Sequence, residues 1–200
     1  MTAQVKLSAR AERRRQTRER ILQAAVAEFR RAGMAGAEVG VIVANAGVAH
    51  GTFYFHFPSK EHVLLELEAR EEVRIAAEFA RFSGTAPDLH TSLTELVRLV
   101  TGLEARFGPT LFKEVLAQHF SPTRPHRDEW TDHPVIELLV RAIERARGAG
   151  VVHPEVDAFY SATFFLLGVY GVLTTTDHPD TRDKMLAKLI ASAVRGLEVR

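Results

Sequence analysis

Apolar residues recur at helical spacing through most of this 200-residue chain. In the first such stretch Ile21, Ala25 and Phe29 lie four residues apart, which puts them on one face of a helix. Glycines and prolines separate it from similar stretches further on, and we find no strictly alternating apolar–polar segment typical of a half-buried strand. The pattern predicts an all-α fold.

The same pattern gives approximate helix bounds. The first helix ends at Gly33, two short helices cover Val39–Asn45 and Ala49–His56, and a long helix runs over Ser59–Phe82. The remaining helices are predicted over Asp88–Ala105, Thr110–Phe120, Pro134–Arg147, Pro154–Thr175 and Pro179–Val199. Proline is tolerated in the first turn of a helix, so prolines open the last two helices in this prediction. Residues 121–133 are predicted to form a loop.

Several classes of function find no support in the residue types present. The chain has no cysteine, which excludes a disulfide framework, a cysteine-based zinc site and a thiol nucleophile. The nine histidines are scattered without metal-ligand spacing, and we find no nucleophile elbow, Walker loop or dinucleotide fingerprint. No secretory signal or membrane-spanning stretch is evident. We therefore expect a cytoplasmic protein without membrane partner, metal or cofactor, and not an enzyme.

The charge is unevenly distributed along the chain. Residues 1–62 contain ten Lys and Arg against five Asp and Glu, and the rest contains sixteen against twenty. A basic segment ahead of an acidic one suggests that the basic segment binds a polyanion. A chance cluster of solvated charges would give the same residue counts. Residues 1–13 are expected to form a mobile basic arm, and the arginines up to Arg20 would add affinity for nucleic acid without sequence preference.

The two short helices have the spacing of a helix-turn-helix motif. Small residues at Ala44, Ala46 and Gly47 would let the two helices cross closely. Apolar residues at Val39, Ile42, Val43, Val48 and Phe53 would dock the pair on the first helix. The exposed face of the second helix would then present His50, Thr52, Tyr54 and His56 to the major groove of DNA.

These residues also carry a family resemblance. The runs Thr17–Ala25, Ala46-Gly47-Val48 and Gly51–Phe57, followed by Ser59-Lys60-Glu61, resemble the DNA-binding domain of the TetR (tetracycline-repressor) family. The resemblance covers about residues 14–74 and implies an N-terminal three-helix helix-turn-helix domain. Residues 83–200 would then form a C-terminal helical ligand-binding and dimerisation domain, with the linking helix running to about residue 82. It implies a homodimeric, ligand-responsive transcriptional regulator, most often a repressor, that binds a pseudo-palindromic double-stranded operator.

The resemblance also implies roles for individual residues. Thr52 and Tyr54 would contact phosphates or base edges, and His50 would contact bases. Gly51 would allow close backbone approach, His56 would contact the DNA backbone and Lys60 a phosphate. Arg18, one of the arginines at the start of the first helix, is also predicted to bind DNA. Phe53, Phe55 and Phe57 would pack within the domain.

The chain departs from the family pattern at the starts of both short helices. Ala37 and Glu38 stand near the start of the first, and Ala49 opens the second, where the family has Ser or Thr. A missing cap costs about 1 kcal/mol. Gly40 inside the first short helix weakens it further. These departures favour an alternative in a different class, a helical small-molecule-binding protein whose N-terminal domain no longer binds DNA.

The helix predicted from Pro154 is apolar on all sides, which is typical of a helix that is buried all round. A second subunit would supply the missing cover, and a central helix in a monomeric bundle is the alternative. The predicted dimer interface consists of Phe165, Gly168, Val169, Val172, Leu186, Leu189, Ile190, Ala193 and Leu197.

Aromatic residues with a few polar groups between them predict a small-molecule pocket in the C-terminal part. The predicted lining consists of Arg98, Phe112, His119, Trp130, Tyr160, Thr163 and Phe164. The alternative is that these aromatics are ordinary core. The expected effector is apolar or amphipathic, of drug or acyl-chain size.

Overall fold

A computed structural model describes residues 2–85, 88–119 and 133–199. Within these ranges the chain forms nine α-helices and no strand, so the predicted all-α class is confirmed. The helices are α1 (Thr2–Gly36), α2 (Val39–Ala46), α3 (His50–His56), α4 (Lys60–Ser83), α5 (Leu89–Phe107), α6 (Pro109–His119), α7 (Pro134–Gly148), α8 (Ala158–Thr175) and α9 (Pro179–Leu197). The predicted loop at 121–133 lies almost wholly outside the described residues.

The helices group into two compact units. Unit 1 comprises the described residues of Met1–Ala69 together with Phe107–Val115, and unit 2 comprises those of Arg70–Arg106 and Leu116–Arg200. Helices α4 and α6 therefore contribute to both units. The predicted domain boundaries stay a prediction.

Helix α1 differs from the expectation at both ends. It begins at Thr2, so the backbone is helical where a mobile arm over residues 1–13 was expected. Gly33 interrupts it with φ 69° and ψ 170°, at the residue where the sequence predicted its end. The reason for the longer start lies in composition, since Ala, Gln, Lys and Arg of this segment are good helix formers.

Unit 1 is built on the apolar stripe of α1. Ile21, Ala25 and Phe29 are fully buried, and so are Ile42 of α2 and Phe53 of α3. Helix α2 ends at Ala46 and is capped by Gly47, whose left-handed backbone (φ 62°) lets its N–H reach the Ala44 carbonyl while the Val48 N–H reaches the Val43 carbonyl. This cap needs a positive φ, which explains the glycine in the turn.

Unit 2 contains α7, α8 and α9, with α8 packed against both neighbours. A Cβ at Gly168 would lie 3.0 Å from the side chain of Leu189 in α9, so the glycine permits this close helix approach. Helix α8 begins at Ala158, four residues later than predicted, because Asp157 rather than a residue before Pro154 supplies the N-cap. The Asp157 carboxylate accepts a hydrogen bond of 3.0 Å from the Tyr160 N–H.

The described residues leave one face of α8 uncovered. Tyr160, Phe164 and Leu167 are 59%, 67% and 38% exposed, whereas Phe165, Leu166 and Val169 on the other side are buried. By length and composition α8 is also the one helix in the described ranges that could cross a bilayer, a test that core helices of soluble proteins also pass.

Candidate nucleic-acid interface

Helix α3 presents a polar and aromatic surface to solvent. His50 and Gly51 are exposed, Thr52 is half-buried, and Tyr54 is 53% exposed. Phe53 and Phe57 on the opposite side are fully buried. We call the four residues His50, Gly51, Thr52 and Tyr54 the α3 surface. The described residues leave this surface open to solvent.

Phe55 does not pack within the domain as predicted. Its side chain is 67% exposed because its position on this short helix points away from the α1 stripe. The guanidinium of Arg14 lies over the Phe55 ring, 5.1 Å from the ring centre. The sequence prediction grouped three phenylalanines in one core, and the structure keeps two of them there.

A buried carboxylate of α1 lies beside the start of α2, where a side-chain cap is missing. Neither Glu38 nor Ala49 makes a side-chain capping bond. The buried Glu28 carboxylate lies 3.5 Å from the Glu38 N–H and 2.6 Å from Arg31 Nη2. The hydrogen bond from Arg31 lowers the pKa of Glu28 and keeps it charged. Sequence reasoning missed Glu28, although an acidic residue beside the apolar stripe of a helix is a visible signal.

Arg18 is engaged inside unit 1. Its guanidinium pairs with Glu66 of α4, with Nε 2.8 Å from the carboxylate, and also donates to the His56 carbonyl. The same guanidinium stacks over the Phe57 ring at 4.1 Å. Arg18 therefore ties α1 to the end of α3 and to α4, and its predicted DNA contact stays a prediction. Its partner Glu66 is 48 positions away, so no local pattern indicates it.

Lys60 likewise has partners within the protein. Its Nζ donates to the carbonyls of Met34 and Ala37, at 2.7 Å each. Glu114 of α6 accepts a hydrogen bond of 2.8 Å from the Met34 N–H in the same segment. The ammonium of Lys60 and the carboxylate of Glu114 thus both bond the backbone near the connection between α1 and α2. The predicted phosphate contact of Lys60 would compete with these bonds.

His56 is buried, with 7% of its surface exposed, and its Nδ1 finds no hydrogen-bond partner among the described residues. Burial lowers its pKa, and the nearby charges of Arg18 and Arg14 lower it further. The imidazole is therefore neutral at physiological pH. The predicted contact of His56 with the DNA backbone stays a prediction, and its burial argues against it.

The residues predicted to line a pocket have different surroundings, and the pocket stays a prediction. Phe112 is buried in unit 1, Arg98 is exposed and pairs with Glu95, and Tyr160 and Phe164 lie on the exposed face of α8. Trp130 and the side chain of His119 lie outside the described residues. Thr163 differs from the others, because its hydroxyl is buried in unit 2 without a hydrogen-bond partner in the described chain.

Several residues predicted at the dimer interface belong to the core of unit 2 instead. Phe165, Val169, Leu186 and Ile190 are buried within their own chain. The others are half-buried, namely Gly168, Val172, Leu189, Ala193 and Leu197. Among the described residues no group of three His, Asp or Glu side chains is arranged to hold a metal ion.

Comparison with known proteins agrees with this arrangement. Residues 21–67, which include α2 and α3, match the family model of bacterial regulatory proteins, tetR family. The chain is 24% identical over 184 residues to the HTH-type transcriptional regulator UidR of Escherichia coli K12, covering 90% of this chain and 92% of UidR. It is 39% identical over 70 residues to the HTH-type transcriptional repressor KstR of Mycolicibacterium smegmatis, covering 35% of this chain and 34% of KstR.

A solved structure extends the likeness of fold to nearly the full length. Thermus thermophilus FadR, a TetR-family transcriptional repressor in complex with lauroyl-CoA, superposes with a TM-score of 0.73 and 23% identity over 92% of this chain and 96% of FadR. The helix-turn-helix of α2 and α3, the match at residues 21–67 and the full-length similarity to UidR lead to one assignment: residues 21–67 form a tetR-family domain, and the whole chain is similar to transcriptional regulators that carry this domain.

Proposed function

We propose that the protein is a dimeric, cytoplasmic repressor that binds a pseudo-palindromic operator through α3 and releases it when a small amphipathic molecule binds unit 2. The observation that carries the DNA-binding part is the exposure of the α3 surface on a well-packed unit 1. Two such surfaces in a dimer would enter successive major grooves, with centres about 34 Å apart.

We assign two different kinds of role to the predicted DNA-binding residues. His50, Gly51, Thr52 and Tyr54 are exposed enough to contact bases or phosphates. Arg18, His56 and Lys60 have partners or positions inside unit 1, so we propose that Arg18 and His56 hold α3 in place for binding and that Lys60 holds the connection ahead of α2.

Salt-dependent DNA binding tests this part. A duplex selected by the protein from a random-sequence pool is titrated at rising salt, with Tyr54→Ala beside the wild type. We expect a steep loss of wild-type affinity with salt, because counterions are released from phosphates. Tyr54→Ala is expected to weaken binding strongly without changing the fold, since its side chain is exposed. Equal binding by both proteins would show that Tyr54 does not contact the duplex, and an absence of salt-dependent binding by the wild type would favour the alternative in which unit 1 no longer recognises DNA.

The exposed face of α8 supports the dimer. Tyr160, Phe164 and Leu167 follow one another at helical spacing, and the rings of Tyr160 and Phe164 stack at 6.2 Å. An uncovered apolar stripe of this kind is typical of a subunit interface. We propose that a second copy covers it, so that the interface is made by the face opposite to Phe165 and Val169.

The effector proposal rests on Thr163 and on the likeness to FadR. A buried hydroxyl without a partner costs free energy that a bound polar group would offset. The FadR structure contains lauroyl-CoA, an apolar chain on a polar carrier. We propose that the effector is an acyl-chain compound whose polar end bonds Thr163.

Adding lauroyl-CoA to the protein–DNA complex tests the effector class. We expect micromolar lauroyl-CoA to release the duplex, and CoA without the acyl chain to leave it bound. Thr163→Val retains the shape of the side chain and is expected to weaken the response. Release by neither compound, with DNA binding intact, would refute the acyl effector and leave the DNA-binding proposal standing.

A further inference from the structure

Phe55 and Arg14 form a contact that the proposed roles of the α3 surface do not use. Phe55 is among the most exposed large apolar side chains in the described chain, at 67%. It follows directly after Tyr54 on the helix proposed to enter the major groove. A phenyl ring has no hydrogen-bonding atom, so it cannot bond a phosphate itself. The Arg14 guanidinium lies 5.1 Å from the centre of that ring.

Arg14 differs from the arginines around it on α1. Arg15 is paired with Glu12 at 2.8 Å, Arg13 bonds the Ala9 carbonyl, and Arg18 is paired with Glu66. Arg14 has no hydrogen-bond or ion-pair partner among the residues that the structure describes, and its side chain is exposed. Its charge is also close enough to the end of α3 to act on His56. The contact with Phe55 is therefore the interaction that orients an otherwise unneutralised cation.

We infer that Phe55 positions Arg14 for a contact with a DNA phosphate beside the groove that α3 enters. The ring face attracts the guanidinium and restricts its rotamers, while the outer N–H groups stay available to an anion. If DNA binds the exposed α3 surface, the anion nearest to Arg14 would be a DNA phosphate. This inference rests on the proposed DNA binding. Arg14 is the contact residue in this account, and Phe55 is a positioning residue.

The experiment measures the salt dependence of binding to the selected duplex for Arg14→Gln, Phe55→Leu, Phe55→Trp and the Arg14→Gln/Phe55→Leu double variant. Arg15→Gln is the matched control, because it removes an equal charge one residue away that Glu12 already neutralises. Both side chains are exposed, so the variants are expected to fold normally, which circular dichroism checks.

We expect Arg14→Gln to reduce the slope of log affinity against log salt by about 0.9, the value for one phosphate contact. When the salt concentration rises fourfold, the affinity of Arg14→Gln should therefore fall by a factor roughly threefold smaller than the factor for the wild type. Phe55→Leu should lower the slope in the same direction, Phe55→Trp should retain it, and the double variant should equal Arg14→Gln. Arg15→Gln should leave the slope nearly unchanged.

Three results would overturn the inference. The first is an unchanged slope for Arg14→Gln. The second is a loss for Phe55→Leu that adds fully to that of Arg14→Gln, because Phe55 would then act on the DNA directly. The third is an equal effect of Arg15→Gln, which would show a diffuse charge effect. Wild-type protein that shows no salt-dependent binding to any duplex would contradict the proposed function itself, a result separate from these three.

Discussion

Replacing Lys60 by methionine should destabilise unit 1, because Lys60 Nζ donates hydrogen bonds to two backbone carbonyls of that unit. The family resemblance implies a phosphate contact, whereas the structure engages Nζ with the carbonyls of Met34 and Ala37. Lys60→Met removes the charge and its donors but retains the length of the aliphatic stem. The structure predicts a loss of stability in unit 1 even without DNA.

The size of the loss follows from the two bonds at 2.7 Å. A hydrogen bond from a charged group contributes about 1.5–3 kcal/mol, and both bonds here come from a half-buried amine that water partly screens. Ala37 is buried, so its carbonyl loses a partner that water replaces poorly. We expect about 2–3 kcal/mol in total, which for a chain of this size lowers Tm by roughly 4–12 °C.

Thermal unfolding by circular dichroism measures this shift, and hydrogen exchange locates it. The amides of Val41 and Ile42, which bond the Glu38 carbonyl, should exchange faster in Lys60→Met because the connection ahead of α2 is released. Lys188→Met is the control, since Lys188 is an exposed residue of α9 and its loss should cost less than about 0.5 kcal/mol. Unchanged stability together with a reduced salt slope of DNA binding would refute the reasoning and make Lys60 a phosphate contact.

Three further predictions concern other positions. Burial lowers the pKa of His56 below its ordinary value of 6.5, so near that pH the unfolded chain binds more protons than the folded one. Stability should therefore fall as the pH drops through 6.5, and His56→Gln should flatten this dependence in calorimetry. Phe164→Asp puts a charge on the exposed face of α8, and analytical ultracentrifugation should then show monomers, whereas an unchanged dimer would move the interface elsewhere. Gly47→Ala forces a left-handed residue and should cost about 1–2 kcal/mol in denaturant unfolding, unlike Gly148→Ala at an open helical position.

Local periodicity was sufficient to predict the helices. The bounds of α2, α3, α4 and α7 agree with the pattern to within one or two residues, because glycine, proline and the apolar repeat act within a few positions. The start of α8 was wrong because Pro154 and Asp157 both satisfy rules for a helix start, and only tertiary packing decides between them. The helix-turn-helix could be predicted for the same reason, since Gly47 and its neighbours determine the turn locally.

The orientation of side chains could not be predicted equally well. Helix α8 is apolar on every side, so a helical wheel cannot decide between Phe165, which is buried, and Phe164, which is exposed. Arg18 and Lys60 are residue types that commonly contact DNA. Their partners within the protein lie far away along the sequence, at 48 positions for Arg18 and at 23 and 26 positions for Lys60. Interactions at such separations depend on the assembled fold and leave no local pattern in the sequence.

Hydroxyl-radical footprinting of the selected duplex tests the central claim most directly, that two α3 surfaces bind DNA together. The account predicts two protected patches on one face of the duplex, with centres about 34 Å apart, and their loss in Tyr54→Ala. A single patch, or a footprint that Tyr54→Ala leaves unchanged, would contradict it.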